Sequence, residues 1–193
     1  QYKAEDGTDI DLTCAHERNR GDRNDPRRST NRYLKHILYG NRNSLLNNEN
    51  KRFHFLTDEQ INNAGWMFEA VLDYEDHDPE FPVPKDYEVK KESGELKYPW
   101  KLRQDSFSTY RASFEIRTTR LCQRVLMFHH FPNEQGVGDN CLVRSTDFTY
   151  SYEQEPENAS NPVYSFLREV TQVGYKRQSN GYLKRSMPPV EFE

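Results

Sequence analysis

The sequence has little of what marks most enzymes, membrane proteins or nucleic-acid binders. It contains three cysteines, Cys14, Cys122 and Cys141, too few and too odd a number for a disulfide framework. If the chain turns near Gly136, Phe131 lies opposite Cys141 and Cys122 falls near Tyr150, so the two thiols are too far apart to bridge. Buried free thiols are expected, and no oxidised scaffold is implied. No Cys/His spacing fits a metal centre. No apolar run approaches the roughly 20 residues that span a bilayer, and no signal peptide opens the chain. Direct membrane insertion is therefore not expected. The net charge of -4 supplies no basic field for nucleic acid. Gly-x-Ser-x-Gly, Walker and dinucleotide fingerprints are absent, so no cofactor is expected.

What is present is aromatic and charged. Aromatic residues make up 13% of the chain, charged residues 30% and hydrophobic residues 34%, with a mean hydropathy of -1.08. Disordered chains are poor in aromatics. Few aliphatics with many aromatics fit β-structure with thin cores and wet faces. The length suits one domain spanning 1–193. A first residue of Gln1 instead of Met suggests a piece of a longer protein.

The organising stretch is Asp105–Tyr152, read as three extended runs. In the first, Ala112, Phe114 and Ile116 alternate with Ser113, Glu115 and Arg117, which places one face on a core. In the second, Leu121, Val125, Met127 and Phe131 share a face, with Leu126 and Phe128 on the other. A strand apolar on both faces is central or covered twice. In the third, Leu142, Phe148, Tyr150 and Tyr152 share a face. The turn formers of Pro132–Asn140 join the last two runs as a hairpin. Further strands are expected at Ile10–Thr13, Tyr33–Tyr39, Trp66–Tyr74, Val163–Tyr175 and Tyr182–Ser186. Trp66, Phe68, Ala70, Leu72 and Tyr74 should line a core, and Gly174 should mark a bulge. Thr57-Asp58-Glu59-Gln60 has the pattern of a capped helical turn. Cys14–Thr30, Glu75–Gln104 and Glu153–Asn161 read as loops. The second of these is unusually long for a compact domain. The fold class expected is all-β, mainly antiparallel, with long irregular loops and at most short helical turns.

Each candidate site has a plainer reading beside it. Asp73, Glu75, Asp76, His77 and Asp78 form an acidic run that could hold a cation, but EF-hand spacing is missing and a solvated turn is preferred. His129 and His130 point to opposite faces of a strand and read as a structural pair. Cys122 has Arg120 and Arg124 on its own face, which would lower its pKa, but no third group orients a base. Arg111, Arg117, Arg120, Arg124 and Arg144, with Glu115 and Asp147, read as cross-strand ladders on a wet face. Arg18, Arg20, Arg23, Arg27 and Arg28 read as a charged surface, with phosphate binding the lesser alternative. Trp66, Tyr98 and Trp100 could form a sugar-stacking platform, although core or interface packing is preferred. Asn158-Ala159-Ser160 is a glycosylation sequon, meaningful in a eukaryotic secretory pathway.

Tyr110-Arg111, Phe114–Thr118, Arg120–Pro132 and Leu142–Phe148 together resemble the middle/N-terminal region of the B component (TcdB/TcaC type) of tripartite insecticidal toxin complexes, proteins that begin with an SpvB-like domain. Tyr33–Asn41, Trp66–Glu69, Leu72–Tyr74, Val170–Tyr175 and Gly181–Lys184 extend the resemblance. Ser113 and Thr119 depart from it, standing where Gly and Tyr are expected. The resemblance implies a non-catalytic segment of a β-sheet shell or propeller that encloses a toxic C-component polypeptide. It implies secretion, and as partners the repeat-containing C component, the pentameric A component and adjoining parts of the same chain. The ADP-ribosyltransferase motif associated with the SpvB name is absent and is not carried over. The alternative reading is a carbohydrate-binding β-sandwich module at a cell surface.

Overall fold

The computed structural model describes residues 1–151 and 164–193. The Glu153–Asn161 loop, its sequon, Tyr152 and Val163 fall outside the described residues. The architecture is all-β and antiparallel. The strands are β1 (Tyr2–Ala4), β2 (Arg32–Leu34), β3 (His36–Asn41), β4 (Trp66–Asp73), β5 (Phe107–Thr109), β6 (Ile116–Thr118), β7 (Arg124–Phe131), β8 (Gly138–Tyr150), β9 (Leu167–Gln178), β10 (Gly181–Ser186) and β11 (Val190–Glu191). Two short helices, α1 (Ala15–Arg18) and α2 (Asp58–Asn63), lie between them. The main sheet runs β10-β9-β8-β7-β4-β3, with β11 also on β9. β1–β2 and β5–β6 form separate two-stranded ribbons.

Local chemistry explains several elements directly. In α2 the Gln60 amide donates to Thr57 Oγ1 at 3.2 Å, and the Thr57 amide donates to Gln60 Oε1 at 2.9 Å. This reciprocal box satisfies two orphan amides at the helix start. The β7–β8 hairpin forms as expected, with Gly136 and Gly138 in the left-handed region at φ 84° and 64°. Its register differs from the expected one: Phe131 faces Gly138, and His129 faces Cys141. Tyr150 still reaches the Cys122 region, its hydroxyl donating to the Cys122 carbonyl at 2.7 Å. All three cysteines are free.

Four strand expectations need correction. The Tyr33–Tyr39 strand is broken at Lys35, because the amides of Lys35 and His36 both donate to the Gln1 carbonyl, at 2.9 and 3.2 Å. That shared acceptor passes the chain from the β1 ribbon to the main sheet. Ile10–Thr13 forms no strand, although Ile10 is fully buried. Ala112–Arg117 is not a sheet strand facing a core. The Ser113 amide donates to the Tyr110 carbonyl at 3.0 Å with Ser113 at φ 68°, making a turn between β5 and β6. Phe114 and Ile116 are exposed there. Gly174 sits in regular register between Arg144 and Arg185, and the bulges lie instead near Met127/Phe128, His129/Phe131 and Thr149/Tyr150.

The largest correction concerns which face is inside. The buried residues of β4 are Glu69, Val71 and Asp73, while Trp66, Phe68, Ala70 and Leu72 are half-buried. On β7, Leu126 and Phe128 are buried, while Val125 and Met127 are not. The core is the small cluster Val71, Leu126, Phe128 and Leu142, flanked by Tyr175 and Tyr182. Each such side chain contributes about 1.5–3 kcal/mol of burial. The 75–104 excursion lies over this face. Tyr87 packs on His36 at 5.3 Å, Glu80 pairs with Lys184 at 3.0 Å, and Phe81 approaches Gly181 so closely that a Cβ there would meet its ring at 2.6 Å.

Candidate functional site

The ionisable groups of the sequence are drawn together on that covered face. Asp73 ends β4. The chain then turns through Glu75, at φ 65°, and brings Asp76 and His77 back beside it. The Asp76 amide donates to Asp73 Oδ1 at 3.1 Å, and the Tyr74 amide donates to Asp76 Oδ1 at 3.1 Å. All three side chains are buried, so this is not a solvated turn. Their ligand atoms lie within 4.8 Å of one another, a separation compatible with a cation.

The protein supplies that positive charge itself. Lys35 Nζ donates to Asp76 Oδ1 at 2.6 Å and to the Leu72 carbonyl at 2.8 Å. Lys3 Nζ reaches Asp76 Oδ2 at 3.0 Å, and Arg124 Nε donates to Asp73 Oδ2 at 2.7 Å. His77 Nδ1 lies 3.3 Å from Asp73 Oδ1 and 3.2 Å from Asp76 Oδ1, and Nε2 lies 3.4 Å from the Pro84 carbonyl. Both ring nitrogens thus face acceptors, and the Lys35 ammonium also lies 3.4 Å from Nδ1. Burial alone would raise both carboxyls, but His77 with Lys35 and Lys3 holds Asp76 far below the usual range, and His77 with Arg124 lowers Asp73. Burial pushes His77 down, but its two carboxylate partners outweigh this and raise it above its ordinary 6.5. The arrangement neutralises charge where no water reaches. Its chemistry is to hold Glu75–Gln104 against the sheet.

A second cluster crosses the same face. Glu69 takes His36 Nδ1 on one carboxylate oxygen and His130 Nε2, at 3.1 Å, on the other. The Asn140 amide donates to His130 Nδ1 at 3.3 Å, which leaves the His130 proton on Nε2. Burial would raise Glu69, but the bonds from His130 and His36 hold it at about 2. His129 points the other way, edge-on to Phe68 at 5.0 Å. His129 and His130 therefore serve opposite faces.

The remaining candidates are also committed to packing. Burial and the neighbouring Asp73 push the Cys122 thiol up to about 12, opposite to the lowering expected from its arginine neighbours. Its Sγ lies 3.3 Å from the Arg124 carbonyl. The arginines do not form ladders on a wet face. Arg117 bonds Glu17 at 2.9 and 2.6 Å, and Arg120, buried, bonds both oxygens of Glu5. Arg124 with Asp73 is a cross-strand pair, but one with Asp73 buried and Arg124 half-buried. Glu115 turns to Arg20 and to Ser108, while Arg111 and Arg144 are exposed. Within Cys14–Thr30, Arg18, Arg23 and Arg27 are exposed as expected, but Arg28 is buried on Glu17 at 2.9 Å. Trp100 is fully buried, with Tyr33 edge-on at 5.6 Å and Arg120 over its ring at 4.4 Å, so it cannot stack on a sugar. Trp66 is tied to the Ile61 carbonyl at 2.7 Å.

Sequence reasoning missed Lys3, Glu5, Lys35, His36 and Glu69. The available signal was a charged residue inside an apolar run, Lys35 in Tyr33–Tyr39 and Glu69 in Trp66–Tyr74. Strand alternation puts Glu69 on the face opposite Trp66, Phe68, Ala70 and Leu72, and assigns no face to Lys35.

Comparison with known proteins agrees with the geometry. Residues 1–131 match the SpvB family, described as Salmonella virulence plasmid 65kDa B protein. The proteins named mono(ADP-ribosyl)transferase SpvB of Salmonella typhimurium and Salmonella enteritidis are each 33% identical over 155 residues, covering 80% of this chain. The chain spans 22% of the length of those relatives. The solved N-terminal domain of effector protein SpvB from Salmonella typhimurium strain LT2 matches with a TM-score of 0.57 and 31% identity, over 91% of this chain and 46% of that one. The transferase activity is in the relatives' name, whereas this structural match falls in the N-terminal domain. The chain belongs to the SpvB family, as an SpvB-like N-terminal segment.

Proposed function

We propose that this chain is a non-catalytic structural segment of a secreted toxin protein, part of the β-built wall of a toxin-complex B component. In this reading the wall encloses a toxic C-component polypeptide and docks, through other parts of the molecule, on a pentameric A component. One observation carries the proposal. Most buried charges of the described residues are paired with one another, while an apolar sheet face stays half-exposed and the sheet edges stay open at β10 and, beyond the Gln1–His36 contact, at β3. Ile37 and Tyr39 on β3 and Leu183 on β10 are exposed, and Phe68, Leu72, Val125 and Met127 are half-buried on the face away from the core. A sheet left open in this way is built to be continued by more sheet, because free edges and apolar faces otherwise invite misassociation. The SpvB membership and the resemblance of Arg120–Pro132 to toxin-complex B components support the same reading.

The test compares the 193-residue chain with a longer polypeptide carrying its natural flanks, by light scattering and by co-purification with the C component. The isolated chain should self-associate, and the longer form should be monodisperse and retain the C component. A monodisperse isolated chain, together with a longer form that never retains the C component, would overturn the proposal.

A further inference from the structure

Several arginines that read in the sequence as a charged surface gather around one recess. Asn19 and Arg20 directly follow α1, and Arg27, Arg28 and Asn31 belong to the turn that comes next. Glu115, just ahead of β6, reaches across to them. Together these side chains line a polar recess of about 290 Å³.

The pairing of the charges leaves the recess positive. Glu17 gives one carboxylate oxygen to Arg28, at 2.9 Å, and the other to Arg117, at 2.6 Å. Asp25 accepts from Nε and Nη2 of Arg27, at 2.9 and 2.6 Å. Glu115 accepts from Nη1 of Arg20 and from the Ser108 hydroxyl. Four guanidiniums thus meet three carboxylates, with one positive charge unmatched. Arg28 is tied further to the carbonyls of Asp22, Glu17 and Gly21. Arg20 differs, because its Nε is buried and has no hydrogen-bond partner. A buried donor without an acceptor is costly, and native proteins keep few of them. Arg27 Nη1 and the side-chain amides of Asn19 and Asn31 are likewise without partners among the described residues.

Unspent donors around surplus positive charge call for an anion. They come from separate points of the chain and so approach from several directions. A carboxylate offers two oxygens in one plane, and a single guanidinium fork matches it, as Arg27 matches Asp25. A tetrahedral phosphate offers three or more oxygens and can accept from two guanidiniums and an amide together. The recess lies at the small end of the range for ligand pockets, which suits a phosphate group with little attached.

We propose that this recess binds a phosphate group, as inorganic phosphate or on a small phosphomonoester. Arg20 and Arg27 supply the charge, and Asn31 supplies an amide donor. Glu115 competes with the anion for Arg20 and holds the affinity down. The proposal is independent of the structural reading above.

The test is calorimetric titration of the full-length protein with inorganic phosphate at low ionic strength, where screening is least. Binding should be saturable. Arg27→Gln, at a side chain 72% exposed, should weaken it about tenfold or more. Arg20→Lys should do the same, since it keeps a charge beside Glu115 but lacks Nε. Glu115→Gln should tighten binding. Sulfate should compete with phosphate, and acetate at the same concentration should not. Phenyl phosphate binding more tightly than inorganic phosphate would identify an organic phosphate as the ligand, and equal or weaker binding would identify the free anion. The proposal is overturned by the lack of saturable binding, by an affinity unchanged in either arginine variant, by Glu115→Gln binding no more tightly, or by acetate competing as well as sulfate.

Discussion

The two faces of the main sheet invert the usual division of labour. The covered face holds Glu69, Asp73, His36 and Arg124 beside a small apolar cluster, while the open face holds Phe68, Leu72, Val125 and Met127 half-exposed. Charge went inside because counter-charges came with the covering layer and the neighbouring strands: His77 from the excursion, Lys3 from β1, Lys35 beside β3. A buried charge is tolerable when paired and hydrogen-bonded. The apolar face has no such layer among the described residues. The contrast teaches that the more apolar side of a strand need not be the side its own domain buries.

The comparison can be broken hardest at a buried ion pair. Arg120→Ala strands the Glu5 carboxylate in the interior and should cost about 3–5 kcal/mol, read as a lowered urea midpoint. Arg120→Met with Glu5→Leu should recover much of that loss, since pair and penalty leave together. Next, Leu126→Ala on the covered face should cost about 2–5 kcal/mol. Its neighbour on the open face, Met127→Ala, should cost under about 1 kcal/mol in the isolated chain. Equal losses would abolish the distinction between faces.

Acid and alkali should act on the covered face with opposite signs. His77 is raised above 6.5, so its contribution is complete below 6.5 and is lost as pH climbs through the folded value. Asp73 and Asp76 are lowered from 3.8 and Glu69 from 4.5, so theirs is complete above those values and is lost as pH falls. Melting temperature should therefore be highest in mildly acidic solution, between about 4.5 and 6.5. His77→Gln should flatten the alkaline limb and also weaken the acid limb, since His77 helps lower Asp73 and Asp76, leaving the part that comes from Glu69. A stability maximum above pH 8 would contradict the cluster. The smallest effect is expected in the β5–β6 turn. Ser113 holds φ 68°, where glycine is unstrained. Ser113→Gly should gain up to about 1 kcal/mol in thermal unfolding.

Much of the local structure was legible. The Thr57–Gln60 cap, the Pro132–Asn140 hairpin, the strands at Trp66, Arg124 and Gly181 and the unpaired thiols all follow from residue type and spacing. The unusual residue at Ser113 was legible too, and its φ shows why glycine is the expected residue there. The candidate site was hardly legible. Asp73, Asp76 and His77 were visible as a group, but their partners Lys3, Lys35 and Arg124 lie far off in the chain and meet them only in the folded state.

The sequence by itself determined that this is an antiparallel β protein with its strands, hairpin and short helix nearly in place, because alternation, capping and turn chemistry act over a few residues. Only the tertiary structure decided which side of each strand is covered. A period of two sorts side chains into two sets without ranking them. The ranking came from where a 30-residue excursion lay down and which charges it carried to the sheet.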